Sequence, residues 1–264
     1  ADLHDVLRTK VLRFFFKLWG IRVAVIDKGR KEKQELTSRR AKVLRPLRSS
    51  FERYGEVFVS LGVSFVPNFV SLYDEGVGDE GLYSELTPPK SSGERWIGVA
   101  PFAKHKGKIY PLDRMEKVVS KLSEESRVKI FLFGSGDRER EILSLWRERY
   151  PGVISLADKR YGFAVELSLM SRLDVMISMD SANMHLASLV EVPVVSVWGA
   201  THPYCGFLGW RQSDSGVVEL PLDCRPCSVF GNKPCYRKDY ACLEIAPETI
   251  VDRVKSLETL IKEK

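Results

Sequence analysis

Long apolar runs are missing from this chain of 264 residues. No segment approaches the roughly 20 consecutive apolar residues that a transmembrane helix requires, and none has the layout of a secretory leader. Cysteine is scarce as well: there are five, and four of them lie in one short C-terminal segment. In a chain of this length, that usage does not suggest the disulfide framework of a secreted protein. We therefore expect a protein of the reducing cytoplasm.

Aromatic residues are absent from residues 28–48, a strongly basic stretch of the chain. The first 50 residues contain fourteen Lys and Arg against five Asp and Glu, which accounts for the net charge of +6. A solvated helical face would explain this excess, and so would a surface for a polyanion such as anionic lipid headgroups or a phosphorylated glycan. Proteins that bind single-stranded nucleic acid interleave aromatic with basic side chains. We therefore expect no nucleic-acid partner.

Alternating strand and helix patterns fill the second half of the chain. Buried strands are predicted at 96–102, 128–133, 153–156, 173–179 and 194–198, with helices between them, which is typical of an α/β doubly wound parallel sheet. Upstream, the pattern predicts a helix over 5–19, a strand over 21–27, an irregular stretch over 28–48 and a helix over 50–61. Composition shifts to Gly, Pro, Ser and acid near residue 75. The boundaries that we predict are 1–74, a linker over 75–95, a domain over 96–246 and a C-terminal helix over 247–264.

The most informative stretch is 173–203, which predicts a strand, a short helix and a second strand. Ligands of such sheets bind beyond the carboxyl ends of the strands, where helix N-termini point. Asp180, Ser181 and His185 fall there, and the small residues Ser181 and Ala182 leave the first amides of the helix open to an anion. Helix capping alone explains one of Asp180 and Ser181, and His185 is also compatible with ordinary packing. The backbone returns to the same edge at 199–203.

Two further loops are predicted to reach this edge. Residues 102–111 place Lys104, Lys106 and Lys108 just before a helix, where ammonium groups and the positive end of the helix both suit a diphosphate; an exposed basic loop is the simpler alternative. A glycine-flanked turn at 133–139 could approach a nucleotide, and Glu139 could accept hydrogen bonds from a ribose. Such turns are common, so the second loop is a weaker signal.

Four cysteines form the pattern Cys-x2-Cys-x7-Cys-x6-Cys, at Cys224, Cys227, Cys235 and Cys242. Four thiolates are a usual tetrahedral zinc set, but structural zinc sites more often pair two Cys-x2-Cys units. Zinc, free thiols in a compact loop and disulfides all stay open, with free thiols favoured.

These motifs resemble glycosyltransferase family 9, the lipopolysaccharide heptosyltransferases. The sequence DSANMHLA at 180–187 is similar to the family's Asp-Ser/Thr-Gly-x-x-His-Leu-Ala, and 193–203 is similar to its Pro-Val-Val-x-x-Trp/Phe-Gly-x-Thr-x-Pro. The likeness includes the corner at 108–111, like the family's Lys-x-Trp-Pro, and the Cys-x2-Cys segment followed by 245–248. It covers about 96–264 well and 1–70 loosely. One departure is Ala182, where the family usually has Gly.

The resemblance implies a GT-B enzyme of two Rossmann-like, doubly wound domains, with the C-terminal domain binding a nucleotide sugar such as ADP-heptose. It implies that Lys108 contacts the diphosphate, that Asp180 lies near the sugar and that Glu139 lies near the ribose. The donor-binding residues expected on this basis are Lys104, Lys108, Glu139, Tyr161, Gly162, Asp180, Ser181, Ala182, His185, Gly199 and Thr201. The implied reaction is an inverting transfer without a required cofactor, in which lysines and helix-end amides, rather than a metal, stabilise the departing ADP.

The resemblance also implies that the N-terminal domain is incomplete, because the family's presumed catalytic Asp lies in a loop that we expect upstream of Ala1. Residues 1–74 would be the remnant of the acceptor-side domain, and this chain would bind donor better than it turns over. Its basic segment, including Arg8, Lys10 and Arg30, would contact a lipopolysaccharide precursor, Kdo-lipid A, peripherally at the anionic inner membrane of a Gram-negative bacterium. A nucleotide-sugar-binding protein without turnover, and a glycosyltransferase for another nucleotide sugar, stay open.

Overall fold

The structure, a computed structural model, describes residues 1–64 and 66–262. The chain forms two compact units. The first comprises residues 1–69 with 203–207, and the second comprises 70–202 with 208–264. None of the helices in the described part of the chain is long and apolar enough to cross a membrane. The last two residues of the predicted C-terminal helix, 263 and 264, lie outside the described residues.

Among residues 1–64 and 66–69, the first unit contains three helices: α1 (Leu7–Leu18), α2 (Arg30–Leu36) and α3 (Ser50–Ser60). Ser49 begins α3 with a capping box, in which its hydroxyl accepts from Glu52 N at 3.2 Å and Glu52 Oε2 accepts from Ser49 N at 2.6 Å. The strand predicted over 21–27 is reduced to one parallel bridge between Asp2 and Val25. A strand needs a neighbouring ladder, and within the described residues this unit supplies only that bridge. The stretch predicted to be irregular contains α2.

The second unit is built on a six-stranded sheet. Its strands are β1 (Arg95–Ala100), β2 (Val128–Leu132), β3 (Val153–Ser155), β4 (Val175–Met179), β5 (Val194–Trp198) and β6 (Val217–Glu219). They pair in the order β3-β2-β1-β4-β5-β6, and all five pairings are parallel. This confirms the predicted α/β doubly wound class. β6 was not predicted from the sequence, although β3, which is equally short, was.

In the part of this unit that the structure describes, up to residue 262, five helices cover the sheet: α4 (Leu112–Ser123), α5 (Asp137–Arg149), α6 (Phe163–Met170), α7 (Ala182–Leu189) and α8 (Pro247–Lys262). The amphipathic spacing of α4 buries Met115, Val118, Val119 and Leu122 completely. Each such side chain contributes about 1.5–3 kcal/mol relative to exposure to water. The core therefore fixes the angle at which α4 leaves the loop after β1, and with it the position of that loop.

Residues 75–95, expected to form a linker, are a folded part of the second unit. Gly78 N donates to Ser171 Oγ at 2.8 Å, and Tyr83 is 1% exposed with its ring against Trp96. The unit boundary falls between Phe69 and Val70, ahead of this segment. Gly and Pro in the sequence indicated irregular backbone correctly, but irregular backbone that finds hydrogen-bond partners and buries an aromatic ring is not a flexible connection.

Candidate functional site

The strand order reverses direction between β1 and β4. β1 pairs with β2 on one side and with β4 on the other, so the crossovers that leave β1 and β4 lie on opposite faces of the sheet. The gap between their carboxyl ends is the place where open α/β sheets bind ligands. The loops that border it are 101–111 after β1 and 180–181 after β4, which carry the lysines and the Asp-Ser pair identified from the sequence.

The structure joins these two loops by an ion pair. Lys108 Nζ lies 2.9 Å from Asp180 Oδ2, with side-chain exposures of 16% and 5% respectively. Lys108 ends a short 3₁₀ turn over Lys106–Lys108, and its amide donates to His105 O at 2.9 Å. Because this ammonium is mostly shielded from water, solvent weakens its Coulomb attraction to a diphosphate less than it would on an open surface. Lys104, by contrast, is exposed.

The first turn of α7 is open to an anion. Ser181 is the N-cap residue, with extended backbone, but its side chain makes no capping hydrogen bond. Its hydroxyl instead lies 3.3 Å from Ser178 Oγ, and Ala182 is exposed. The first amides of a helix carry partial positive charge and need partners. Between them, α7 and Lys108 present two kinds of anion-binding group at adjacent strand ends.

His185 lies one turn into α7 and is partly buried. Burial lowers its pKa from the ordinary value of 6.5, and the nearby positive charge of Lys108 lowers it further, against the opposing effect of Asp180. The lowered pKa favours the neutral imidazole at pH 7. A neutral ring can donate a hydrogen bond from one nitrogen while accepting at the other.

The loops after β2 and β3 hold the residues predicted to contact the nucleoside. Glu139 Oε2 accepts from Ser135 N at 2.9 Å, which draws the carboxylate back over the glycine turn at the start of α5. After β3, the ring of Tyr161 lies under Lys159, with Nζ 4.8 Å from the ring centre, and Gly162 begins α6 with a φ of +85°. These groups follow strands on the other side of β1 from Asp180.

Gly199 and Thr201 are buried, so neither presents a surface to a ligand in this conformation. Ala200 N, between them, donates to Gly107 O at 2.8 Å, and a Cβ at Gly199 would lie 2.4 Å from that same oxygen. The loop after β5 therefore supports the turn that carries Lys108. The sequence motif predicted that this loop lies at the edge of the sheet. Its contacts show that it packs against the turn that carries Lys108.

Arg225 is a residue that the sequence analysis missed. It is 3% exposed, and its guanidinium lies 2.8 Å from Glu219 Oε2, while His202 Nε2 lies 3.2 Å from Glu219 Oε1. Burial alone would raise the pKa of Glu219, but the hydrogen bond from His202 and the charge of Arg225 outweigh it and lower the pKa. A buried arginine in a short polar segment leaves no periodic signal in the sequence.

Within the described residues, the four cysteines of the C-terminal segment form no disulfide bond. Among residues 1–64 and 66–262, no group of three or more His, Cys, Asp or Glu side chains is arranged to hold a metal ion. Burial raises the pKa of the Cys242 thiol to about 11, and the charges of Cys224, Cys227 and Cys235 act in the same direction. The zinc and free-thiol alternatives for Cys224, Cys227, Cys235 and Cys242 therefore both stay open.

The predicted acceptor-side residues lie in the first unit. Arg8 and Lys10 are exposed on α1. Arg30, at the start of α2, is also exposed, but its Nη2 lies 3.0 Å from Asp5 Oδ2. Two of the three charges are therefore presented to solvent, and the third is partly neutralised by an acidic neighbour.

Known proteins are similar to this chain in sequence. Residues 78–235 match the model of glycosyltransferase family 9 (heptosyltransferase). Lipooligosaccharide heptosyltransferase 2 of Campylobacter jejuni is 25% identical over 172 residues, which are 64% of this chain and 53% of that protein. The chain thus spans about half the length of the curated relatives it matches.

Solved structures share the fold. The ADP-heptose lipopolysaccharide heptosyltransferase II of Escherichia coli is 18% identical with a TM-score of 0.60, and covers 83% of this chain and 65% of its own. The E. coli heptosyltransferase WaaC with ADP is 16% identical with a TM-score of 0.56, over 82% of this chain and 58% of its own. These agree with the predicted GT-B class. With more than half of its residues matching the family model, the chain belongs to glycosyltransferase family 9, the heptosyltransferase family.

Proposed function

We propose that the second unit binds the pyrophosphate of a nucleotide sugar between the loops that follow β1 and β4. The observation that carries this proposal is the juxtaposition of Lys108, shielded and paired with Asp180 at 2.9 Å, with an α7 N-terminus that no side chain caps. An ammonium and helix-end amides together can neutralise two phosphates. Lys104, exposed on the same loop, adds positive charge at longer range.

ADP-heptose is the donor that we propose. One solved structure with the same fold is named as an ADP-heptose heptosyltransferase and another was determined with ADP. In this assignment Glu139 accepts from the ribose, Tyr161 and Gly162 border the base, and Asp180 lies near the sugar. Ser181, Ala182 and His185 lie near the phosphates. A nucleotide sugar with another base or sugar is the alternative that the calorimetry below separates.

The proposed reaction is an inverting transfer of heptose to the inner core of a lipopolysaccharide precursor, Kdo-lipid A. The acceptor oxygen bonds to the anomeric carbon of the heptose and loses its proton to a base, as the bond from that carbon to the ADP oxygen breaks and ADP leaves with added negative charge. Lys108 and the α7 amides favour that step because they already face the place where the charge develops. Positive groups of the protein can supply this stabilisation, so we propose that transfer requires no metal.

For the acceptor we propose the basic surface of the first unit, and with it a peripheral position at the anionic inner face of a Gram-negative inner membrane. Exposed Arg8 and Lys10 support this, since basic residues near an anionic surface each contribute about 1 kcal/mol. Binding to vesicles that contain Kdo-lipid A should fall steeply between low and high salt. The double variant Arg8→Ala with Lys10→Ala should bind less, and Lys117→Ala, on the second unit, should not. A flat salt response would contradict the acceptor proposal alone.

Isothermal titration calorimetry with ADP, UDP and GDP tests the donor proposal. ADP should bind most tightly, and chelation of divalent ions should leave its affinity unchanged. Tighter binding of UDP would overturn the choice of donor, and absence of binding by all three nucleotides would overturn the site. Binding of ADP-heptose without transfer to Kdo-lipid A would favour the alternative of a binding protein without turnover.

A further inference from the structure

The segment 224–242, considered above only for metal binding, packs against the proposed pyrophosphate site. We call it the cysteine segment. It contacts the loop after β5 through Arg225 and the lysine turn through Gly231. Binding of a metal ion by the four cysteines would not involve the contacts that Arg225 and Gly231 make.

The Arg225 side chain donates hydrogen bonds to backbone carbonyls at the end of β5 and in the loop that follows it. Its guanidinium donates to Gly199 O at 2.5 Å, to Thr201 O at 2.9 Å and to Trp198 O at 3.1 Å. The carboxylate of Glu219, at 2.8 Å, balances its charge. A planar guanidinium offers five donors in a fixed fork, so the positions of several consecutive peptide groups are set by one side chain.

Backbone contacts complete this attachment. Ala200 O accepts from Cys227 N at 3.1 Å and from Ser228 N at 3.4 Å. On its other side, Ala200 N donates to Gly107 O at 2.8 Å. A continuous set of hydrogen bonds therefore runs from the cysteine segment, through the loop after β5, to the residue that precedes Lys108.

Gly231 determines the space for the Lys108 side chain. A Cβ on Gly231 would lie 2.5 Å from Lys108 Cγ and 2.7 Å from Lys108 Cδ, distances at which one of the two must move. The φ of Gly231 is +71°, which disfavours any other residue. Nearby, Lys106 Nζ lies 5.0 Å from the centre of the Tyr240 ring. The lysine turn is thus held along both its backbone and its side chains.

We propose that the cysteine segment positions the Lys108 ammonium for the pyrophosphate, with Gly231 and Arg225 as its positioning residues. This inference rests on the proposed function. A free lysine stem has several rotatable bonds, and restricting them before the ligand arrives removes an entropic cost from binding. The packing against Gly231 and the ion pair with Asp180 impose that restriction.

Amine acylation tests the position of Lys108 without any nucleotide. In Gly231→Ala, the methyl group displaces the Lys108 stem, so acylation of Lys108 should become faster relative to Lys121 of the same molecule, as measured by mass spectrometry. Gly93→Ala is the matched control: Gly93 also has a φ of +71°, but its Cβ would meet the guanidinium of Arg127 at 3.1 Å, before β1 rather than after it. It should leave the ratio unchanged. Equal ratios in the two variants would overturn the inference.

Calorimetry with ADP supplies the second readout. Gly231→Ala should weaken ADP binding about tenfold or more, as expected for a displaced charged hydrogen-bond donor, while Gly93→Ala should bind as the unaltered chain does. Arg225→Lys, which keeps the charge but loses the fork, should act in the same direction as Gly231→Ala. If the unaltered chain fails to bind ADP, the proposed function fails, and acylation still decides the inference. Unaltered ADP affinity in both Gly231→Ala and Arg225→Lys would contradict it.

Discussion

Lys108 and Asp180 form a shielded ion pair, 2.9 Å between Nζ and Oδ2, across the point where the strand order of the sheet reverses. The two residues belong to loops that follow different strands, so the pair exists only because β1 and β4 are neighbours. In the protein without nucleotide, this ion pair holds the Lys108 ammonium in place. In the proposed complex it leaves that ammonium at the edge of the pyrophosphate site.

Removal of the Lys108 charge should weaken ADP binding strongly. A hydrogen bond to a charged group contributes about 1.5–3 kcal/mol, so Lys108→Ala should raise the Kd for ADP by about 10- to 100-fold. Lys121→Ala is a suitable control, because Lys121 pairs with Glu248 on α8 at 3.1 Å, away from the carboxyl edge of the sheet. Equal affinities for Lys108→Ala and Lys121→Ala would contradict the role of Lys108.

His185 should titrate below 6.5 in the free protein, because burial lowers its pKa. The unfolded chain then takes up this proton first as the pH falls, so the His185 contribution to the free energy of unfolding declines from about pH 6.5 downward. Bound ADP should raise the pKa of His185, since a diphosphate favours the imidazolium. An NMR titration with and without ADP measures both effects. A pKa of 6.5 or more in the free protein would contradict the burial argument.

The Cys242 thiol should be unreactive at neutral pH. Its pKa is raised to about 11 by burial, and only the thiolate reacts with alkylating agents. With iodoacetamide at pH 8, Cys242 should be modified more slowly than Cys235, which is partly exposed. Mass spectrometry of peptides at successive times measures the two rates. If Cys242 were alkylated as fast as Cys235, the claim that burial protects the Cys242 thiol would be wrong.

Gly29→Ala should destabilise the first unit. A Cβ at Gly29, where φ is +58°, would lie 2.3 Å from Arg53 Nη2, and Arg53 is buried with Nη2 2.8 Å from Glu32 Oε2. Left-handed strain costs about 1–2 kcal/mol, and displacement of the buried guanidinium adds about 1–3 kcal/mol. Gly62→Ala, with a φ of +87° and no described neighbour within 4 Å, should show the strain alone. Urea unfolding measures both losses, and equal losses would contradict the role of Arg53.

Much of the second unit could be predicted from its sequence. Strong local periodicity defined α4 and α8, and continuous apolar runs defined β1, β4 and β5, because buried elements impose regular patterns on neighbouring residues. Asp180, Ser181 and Lys108 could be placed at one edge since parallel topology brings carboxyl ends together. The three-residue β6 was not predicted, although β3, of the same length, was.

The supporting contacts could not be predicted in this way. Arg225 and Gly231 act through residues far from them in the chain, and neither lies on a periodic element. Thr201 matches a family motif, yet the structure buries it completely. The segment 75–95 has the composition of a linker, but its backbone finds partners on α6 and after it. Local sequence determines which conformations are available, whereas long-range contacts decide which residues are covered.

The most direct test of the account is a crystal structure of the chain with ADP. The pyrophosphate should lie beyond the carboxyl ends of β1 and β4, with a phosphate oxygen within hydrogen-bond distance of Lys108 Nζ and another at the first amides of α7. ADP bound elsewhere, or bound at this edge with its phosphates directed away from Lys108 and Ser181, would contradict the central claim.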